Sequence, residues 1–157
     1  MGEVIEIEEL TRLIEGSKGE GLKIVFTNGV FDILHAGHLD YLNRSKKLGD
    51  ILIVGVNTDE STKAIKGPDR PFNREEDRTA LLAGLECVDY VTLFSESTPI
   101  NLISLLKPDL LVKGADYSVD EVVGKDVVES FGGEVKLIPF KEGFSTSRLI
   151  DKIKTGD

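Results

Sequence analysis

The sequence predicts an α/β fold, with a Rossmann-like, open and mostly parallel five-stranded sheet that has helices on both faces. Apolar runs of strand length alternate along the chain with stretches of helical periodicity, which is typical of parallel sheets. The 16 glycines fall mainly between the apolar runs, where the loops of such a fold lie. The length of 157 residues predicts a single domain over 1–157, in which 1–20 form an N-terminal helical extension.

The first half of the chain contains two predicted strands. Residues 5–15 have apolar side chains at helical spacing, which predicts a short amphipathic helix. The apolar run 22–27 predicts the first strand, and 37–48 predict a helix that ends at Gly49. The near-continuous apolar run 50–56 is typical of a strand that is buried on both faces of a parallel sheet.

The second half of the chain repeats this alternation. Residues 57–72 are polar and include Pro68 and Pro71, so they predict a loop. Three further strands are predicted at 90–94, 109–112 and 134–139. Four further helices are predicted at 74–84, 99–106, 121–131 and 145–154.

Composition and charge restrict the function classes. The formal net charge is −9, whereas proteins that follow a nucleic-acid backbone usually have a basic face, so we expect no nucleic-acid partner. No signal-peptide pattern or long apolar span occurs, and we therefore expect no membrane partner and a cytoplasmic location. The one cysteine, Cys87, has no partner for an intramolecular disulfide and is expected to be a buried structural thiol.

Four polar clusters directly follow predicted strands. They begin at Thr27, Asn57, Lys113 and Lys141. Ligands of open α/β sheets bind at the carboxyl ends of the strands, where these clusters are expected to meet. The fold therefore predicts that dispersed polar segments share one cleft.

The two histidines of the chain, His35 and His38, lie between the first strand and the next helix. A helix N-terminus is an anion site, because free N–H groups and the helix dipole point at the same place, and two imidazoles add donors that can grip a polyphosphate. The dinucleotide fingerprint and the P-loop pattern are absent, which argues against hydride transfer and against a P-loop kinase. A zinc site needs three or four ligands, and no third histidine or paired cysteine exists, so no metal-ligating residue is predicted.

Two motifs carry a resemblance to a known family. The run His35-Ala36-Gly37-His38 resembles the H-x-G-H motif of the cytidylyltransferase-like nucleotidyltransferases, and Ser145-Thr146-Ser147-Arg148 resembles their S-T-x-[RK] motif. Within this superfamily, the chain is similar to the D-glycero-β-D-manno-heptose 1-phosphate adenylyltransferase domain of ADP-heptose synthase, in a stand-alone form. Further matching segments are 26–38, 56–59, 66–71, 113–117 and 142–146.

The resemblance implies a reaction in which a sugar 1-phosphate attacks the α-phosphorus of ATP, giving ADP-heptose and pyrophosphate. The attacking phosphate is already ionised, so no general base is required, and catalysis consists of positioning and charge stabilisation. Mg²⁺, bound with ATP, is expected to bridge phosphate oxygens and to keep most of its waters. The relatives also imply that the protein is a homodimer acting on small molecules.

The resemblance also implies roles for individual residues. His35 and His38 contact the triphosphate, and at least one of them stabilises charge at the α-phosphate in the transition state. Lys66, or Lys63, reaches phosphates from the loop, and Arg78 holds the acceptor or the triphosphate. The implied substrate-binding residues are Lys63, Lys113 and Lys141. The implied nucleotide-binding residues are Thr27, Asn28, Gly29, Val30 and Phe31 in the first turn, Gly37 between the histidines, Gly114 and Asp116 beside the nucleoside, and Ser145, Thr146 and Ser147 at the β- and γ-phosphates.

Two alternative functions stay open. A glycerol-3-phosphate cytidylyltransferase or an FAD synthetase of the same superfamily would use a similar site, although Phe140 stands where the cytidylyltransferases have an arginine. A non-catalytic nucleotide sensor belongs to a different class, and the two intact motifs argue against it, because a sensor does not need groups that stabilise a transition state.

Overall fold

The protein is described by a computed structural model that covers residues 1–116 and 118–156, and these residues contain one sheet of six parallel strands. The strands are β1 (Glu3–Val4), β2 (Ile24–Gly29), β3 (Ile51–Asn57), β4 (Tyr90–Phe94), β5 (Leu110–Gly114) and β6 (Glu134–Ile138). Their order across the sheet is β1-β4-β3-β2-β5-β6. The strand order reverses between β2 and β5, and a ligand-binding crevice is expected at the carboxyl ends there.

Helices cover both faces of the sheet. In the described ranges they are α1 (Ile7–Gly19), α2 (Ala36–Lys46), α3 (Asp59–Lys66), α4 (Glu75–Ala83), α5 (Ile100–Leu106), α6 (Lys125–Ser130) and α7 (Thr146–Thr155), with a 3₁₀ turn over Val119–Glu121. Adjacent β2 residues alternate between two apolar clusters, because successive side chains of a strand point to opposite faces. Val25 packs in the cluster that contains Leu42 of α2, and Phe26 packs in the cluster that contains Leu10 of α1. The predicted α/β sheet with helices on both faces is confirmed.

The predicted number of five strands is wrong, because the sheet has six. The five predicted strands are all present, and the additional strand is β1 at the edge. It pairs with β4 through Glu3↔Tyr90 and Val4↔Val91, inside the region predicted as a helical extension. A strand of two residues is too short to show a periodic pattern, so its pairing depends on tertiary contacts.

The stretch predicted as a loop over 57–72 contains the helix α3. Thr58 caps this helix by accepting a hydrogen bond from the Ser61 N–H at 3.2 Å. Acidic residues occupy its first turn, where the helix dipole favours negative charge. The helix ends at Lys66, and the following Gly67 has a φ of 108°, which is accessible mainly to glycine. A loop was predicted because the helix lacks a continuous apolar stripe. The Thr58 cap is nevertheless a helix-start signal that the sequence contains.

Two smaller expectations concern α6 and Cys87. The predicted helix 121–131 is shorter in the structure, because Gly124 adopts a φ of 95° and separates the 3₁₀ turn from α6. Cys87 is a free thiol with 6% of its surface exposed, which confirms its prediction as a buried residue. Over the part of the chain that the structure describes, no helix combines the length and apolarity needed to cross a bilayer.

Candidate functional site

A cavity of about 510 Å³ lies at the carboxyl ends of the strands. Asn28 of β2, Asn57 of β3 and Lys113 of β5 all line it. Residues 97–99, which follow β4, and the first residues of α7 complete its wall. The cavity therefore extends across the switch point between β2 and β5.

Both histidines are fixed by hydrogen bonds to backbone N–H groups at the start of α2. The Nδ1 of His35 accepts a hydrogen bond from the Gly37 N–H at 3.1 Å, and the Nδ1 of His38 accepts one from the His35 N–H at 3.3 Å. Because each Nδ1 is an acceptor, each neutral ring has its proton on Nε2. The two imidazoles therefore present N–H donors rather than free lone pairs.

Burial keeps both imidazoles neutral. Their ring centroids stack 3.9 Å apart at an interplanar angle of 28°. Burial, with a smaller effect of His35, lowers the pKa of His38 from 6.5 to about 4, and burial lowers the pKa of His35 as well. At pH 7 both rings can donate a hydrogen bond to a developing negative charge, and neither has a lone pair free to act as a base.

The N-terminus of α7 lies close to the N-terminus of α2. Ser145 is the N-cap of α7, and its Oγ accepts a hydrogen bond from the Arg148 N–H at 3.0 Å. The Thr146 hydroxyl donates a hydrogen bond to the Ile33 carbonyl at 3.4 Å, which connects α7 to the turn before α2. Two positive helix ends thus border the same cleft, an arrangement that favours a polyphosphate.

The histidines face two adjoining spaces. His38 lines the main cavity, whereas His35 lines a neighbouring groove with Ser145 and Arg148. The ring of Phe144 stacks on His35 with centroids 6.1 Å apart. The pair therefore lies at the boundary between the cavity and this groove.

Glycine is required at two positions of the site because neighbouring groups approach closely. A Cβ on Gly37 would lie 2.8 Å from the Phe144 Cβ and 2.9 Å from the His35 ring, so glycine allows the ring to fold back over the helix start. A Cβ on Gly114 would overlap the Phe140 ring. Phe140 in turn stacks on Tyr41 with centroids 5.2 Å apart.

Lys113 places a cation between β5 and β2. Its amino group donates hydrogen bonds to the side-chain and backbone oxygens of Asn28. Burial lowers the pKa of Lys113 from 10.5 to about 8, and a bound phosphate would oppose this effect by favouring the charged form. Beneath this pair, the Thr27 hydroxyl makes a buried hydrogen bond to the Tyr41 hydroxyl at 2.8 Å. Thr27 therefore supports the cavity without lining it.

Asp32 holds the loop between α3 and α4 against the histidine turn. Asp32 is 3% exposed, and its carboxylate accepts hydrogen bonds from Arg70 Nε at 2.8 Å and from the N–H groups of Phe72 and Asn73 at 2.9 Å. Burial alone would raise the pKa of Asp32, but these hydrogen bonds outweigh burial and lower it. The carboxylate therefore stays ionised and keeps the loop in place.

Arg78 is fully buried, and the structure does not bring it to the cavity. Its guanidinium donates hydrogen bonds to the carbonyls of Val30 and Asn73 at 2.7 and 3.0 Å and to the Asp59 carboxylate at 2.8 Å. The expectation that Arg78 holds the acceptor or the triphosphate is therefore corrected. A charged group buried this deeply needs several partners, and here those partners connect the first turn to α3 and α4.

Eleven of the predicted site residues line the cavity. They are Asn28, Gly29, Val30, Phe31, His38, Lys66, Lys113, Gly114, Asp116, Thr146 and Ser147. Phe31 adopts a φ of 51°, an uncommon conformation for a bulky residue that is often found at functional sites. Lys63 and Lys141 are exposed and do not line the cavity. The amino group of Lys141 instead lies 5.6 Å from the centre of the Phe144 ring.

The cavity also includes polar residues to which the sequence assigned no individual role in binding. They are Asp32, Tyr41, Asn57, Arg70, Ser97, Thr98 and Glu121. Asn57 ends β3 and begins a polar cluster that the rule for open sheets already placed in the cleft, and the same rule could have found Ser97 and Thr98, which follow β4. Arg70 reaches the cavity only because Asp32 holds its loop, and sequence spacing gives no sign of that contact.

Metal-binding side chains are not clustered in the described part of the chain. Within 1–116 and 118–156, no group of three or more His, Cys, Asp or Glu residues could hold a metal ion. The cavity instead supplies N–H donors, hydroxyls and the cations of Lys66, Arg70 and Lys113. These groups bind phosphate oxygens rather than a metal directly.

Comparison with known proteins gives a consistent family. The model of the cytidylyltransferase-like family matches residues 26–152. The chain is 53% identical over 146 residues to the bifunctional protein HldE of Trichlorobacter lovleyi, covering 93% of this chain and 30% of that protein. It is 52% identical to HldE of Geobacter metallireducens, covering 94% of this chain and 30% of that protein. The chain thus spans about a third of the length of these curated relatives.

Two solved structures resemble this fold. A lipopolysaccharide core biosynthesis protein from Thermoplasma volcanium is 38% identical, with a TM-score of 0.63, and the match covers 77% of this chain and 98% of that one. A pantoate–β-alanine ligase from Francisella tularensis is 17% identical with a TM-score of 0.68, covering 96% of this chain and 73% of that one. At this identity the second likeness shows the fold alone.

Proposed function

Because the chain belongs to the cytidylyltransferase-like family of nucleotidyltransferases, we propose that it transfers AMP from ATP to D-glycero-β-D-manno-heptose 1-phosphate, giving ADP-heptose and pyrophosphate. The observation that carries this proposal is the pair of neutral imidazole donors at the start of α2, beside a cavity with three cationic side chains. Such a site stabilises negative charge on phosphates. It suits a reaction in which the attacking group is itself an ionised phosphate.

The reaction joins two anions. An oxygen of the sugar 1-phosphate attacks the α-phosphorus in line, and the bond from this phosphorus to the oxygen of pyrophosphate breaks. In our proposal the Nε2–H of His38 donates to an α-phosphate oxygen, where charge builds in the transition state. Its orientation is already set by the hydrogen bond at Nδ1, so little reorganisation accompanies the reaction.

The remaining triphosphate contacts are proposed at the helix ends. The N-termini of α2 and α7 are proposed to bind the β- and γ-phosphates, together with the Ser147 hydroxyl and with the Thr146 hydroxyl once it turns from the Ile33 carbonyl. Lys66 lines the cavity from the last residue of α3 and supplies a further cation. Gly114 and Asp116 are proposed to lie beside the nucleoside.

Mg²⁺ is proposed to enter with ATP. The donor set of the cavity fits an ion held mainly by phosphate oxygens and water, because Mg²⁺ keeps several waters and uses few protein ligands. When bound, Mg²⁺ would neutralise charge on the phosphates. In our proposal the role of the protein is to hold the phosphates in line through its helix ends, hydroxyls and cations.

The choice of the sugar phosphate is supported by the relatives. The resemblance to the heptose 1-phosphate adenylyltransferase domain extends over nearly the whole chain, and the HldE proteins match over more than 90% of it. The structural neighbour at 38% identity is described as a lipopolysaccharide core biosynthesis protein. These relatives favour ATP and a heptose phosphate over CTP with glycerol 3-phosphate.

A panel of substrates tests the proposal. The purified protein is incubated with ATP or CTP, each with heptose 1-phosphate, glycerol 3-phosphate or FMN, and released pyrophosphate is measured. We expect turnover with ATP and heptose 1-phosphate. Turnover of CTP with glycerol 3-phosphate, or of ATP with FMN, without this reaction would contradict the proposal. Nucleotide binding without turnover of any pair would favour a sensor.

The setting of the enzyme is also a proposal. We propose a cytoplasmic homodimer that acts on small molecules, with neither nucleic acid nor membrane as partner. The net charge of −9 supports the absence of a nucleic-acid partner. Sedimentation equilibrium tests the dimer, and a mass equal to one chain would contradict it.

A further inference from the structure

We propose that Arg70 binds the phosphate of the acceptor substrate through a guanidinium that Asp32 holds in position. This inference rests on the proposed function, since that function makes the acceptor a phosphate monoester. It adds a substrate-binding residue to a loop in which the sequence predicts roles only for Lys63 and Lys66. The contacts of Arg70, its chemistry and its place in the cavity each support it.

The guanidinium of Arg70 is fixed on one edge and open on the other. Its Nε donates a hydrogen bond to Asp32 Oδ2 at 2.8 Å, and its Cζ lies 5.1 Å from the centre of the Phe72 ring. Its two terminal nitrogens make no hydrogen bond to any residue within 1–116 and 118–156. Every buried side-chain nitrogen in the described residues has a hydrogen-bond partner. Because the two terminal nitrogens have none, they are exposed to solvent and available to a ligand.

An open guanidinium edge of this kind suits a phosphate. Arginine binds phosphate with two parallel N–H donors, a geometry that lysine cannot provide. Asp32 is itself held by two backbone N–H groups, so the position of the guanidinium does not depend on a bound ligand. Pre-organisation lowers the entropy cost of immobilising a long side chain when the ligand binds.

The position of Arg70 points to the acceptor rather than to ATP. The proposed triphosphate contacts other than Lys66 lie at the N-termini of α2 and α7, whereas Arg70 lies four residues beyond Lys66, in the segment between α3 and α4. The other polar residues that line the cavity after β3 and β4 are Asn57, Ser97 and Thr98. Side chains of this type bind the hydroxyls of a sugar.

Asn57 supplies independent support for a polyol at this end of the cavity. Its Nδ2 donates a hydrogen bond to Ser61 Oγ at 2.9 Å, and the Ser61 hydroxyl donates to the Glu96 carbonyl at 3.1 Å. This chain fixes the orientation of the amide, so Oδ1 is the atom left to accept a hydrogen bond. Asn57 is 4% exposed and lines the cavity, where Oδ1 can accept from a substrate hydroxyl.

The experiment compares Arg70→Ala and Arg70→Lys with the wild type. Arg74→Ala is the matched control, because Arg74 is an exposed arginine of the same connection that does not line the cavity. Initial rates give KM for heptose 1-phosphate and for ATP, and calorimetry gives the Kd of ATP alone. Circular dichroism establishes that each variant is folded.

The proposal predicts a selective loss of affinity for the acceptor. Arg70→Ala should raise KM for heptose 1-phosphate about 10- to 100-fold, the range expected for a lost bidentate charged pair. The Kd of ATP should change by less than about threefold, since uniform binding is lost only for the acceptor. Arg70→Lys should raise the acceptor KM several-fold with unchanged ATP affinity, and it decides the test if Arg70→Ala fails to fold. Arg74→Ala should match the wild type.

Three results would overturn the role of Arg70. They are an unchanged acceptor KM in both variants, an equal loss of ATP affinity, and the same loss in Arg74→Ala. If the wild type does not turn over heptose 1-phosphate, the proposed function fails, and binding of inorganic phosphate beside a non-hydrolysable ATP analogue tests Arg70 separately. Phosphate binding that Arg70→Ala abolishes supports the anion site, and binding that it leaves unchanged rejects it.

Discussion

Replacing His38 with glutamine is expected to remove much of the acid sensitivity of this fold. The ring of His38 occupies the third position of α2 and accepts a hydrogen bond from the His35 N–H. Glutamine at this position is a usual partner in a capping box and can accept the same hydrogen bond. The substitution therefore keeps the cap and removes only the titrating group.

The magnitude follows from the pKa of His38, which is about 4 in the folded protein against 6.5 for an unperturbed imidazole. Between these values the unfolded state binds more protons than the folded state, so the free energy of unfolding decreases as the pH falls. The whole shift corresponds to ~3 kcal/mol at ~1.4 kcal/mol for each pKa unit. Of this, ~2 kcal/mol is lost between pH 7 and pH 5.

Urea unfolding of both proteins at pH 7 and pH 5 measures this effect. The wild type should lose ~2 kcal/mol more than His38→Gln over this interval. Carboxylates titrate in both proteins, so the difference between them isolates the imidazole. Because the chain has two histidines, their ring signals in NMR spectra can be assigned from the variant. Equal losses in the two proteins, or a His38 signal that titrates near pH 6.5, would refute the reasoning.

Three further predictions concern stability and packing at the site. Arg78→Met should lower the free energy of unfolding by ~3–5 kcal/mol, because Asp59 and two carbonyls lose a buried cation. Urea unfolding measures this loss. A loss equal to that of Arg74→Met, at an exposed arginine, would contradict the prediction. Gly114→Ala should lower the free energy of unfolding by ~1–3 kcal/mol, because the added methyl group displaces the Phe140 ring. In thermal unfolding, the double variant with Phe140→Ala should recover part of the lost stability. The absence of any recovery would reject the clash. Ser145→Ala should cost ~1 kcal/mol through loss of the α7 cap and should weaken ATP binding in calorimetry, whereas unchanged stability and affinity would argue against the cap.

The longer strands could be predicted because their apolar residues follow strand patterns, near-continuous in β3 and alternating in β6. Strands such as β3 are buried on both faces of the sheet, and a run of this kind is a direct signal in the sequence. The edge strand β1 lacks this signal, since its two residues are both exposed. The polar helix α3 was missed because its stability depends on the Thr58 cap and the dipole rather than on an apolar stripe.

The site residues likewise divide into those that local sequence predicts and those whose positions depend on tertiary contacts. His35 and His38 could be predicted because their contacts are local, within one helix start. Arg78 was misjudged, because its charge is visible in the sequence but its burial depends on three acceptors from separate segments. Arg70 could not be given an individual role for a similar reason, since its position in the cavity depends on the tertiary contact with Asp32.

The most direct test of the central claim compares turnover with ATP binding in His38→Ala. If the Nε2–H of His38 stabilises charge that exists only in the transition state, kcat should fall by roughly a hundredfold or more. The Kd of ATP, measured by calorimetry without acceptor, should change by less than about threefold. Equal losses in kcat and in ATP affinity, or an unchanged kcat, would contradict the assignment of this histidine to the transition state of nucleotidyl transfer.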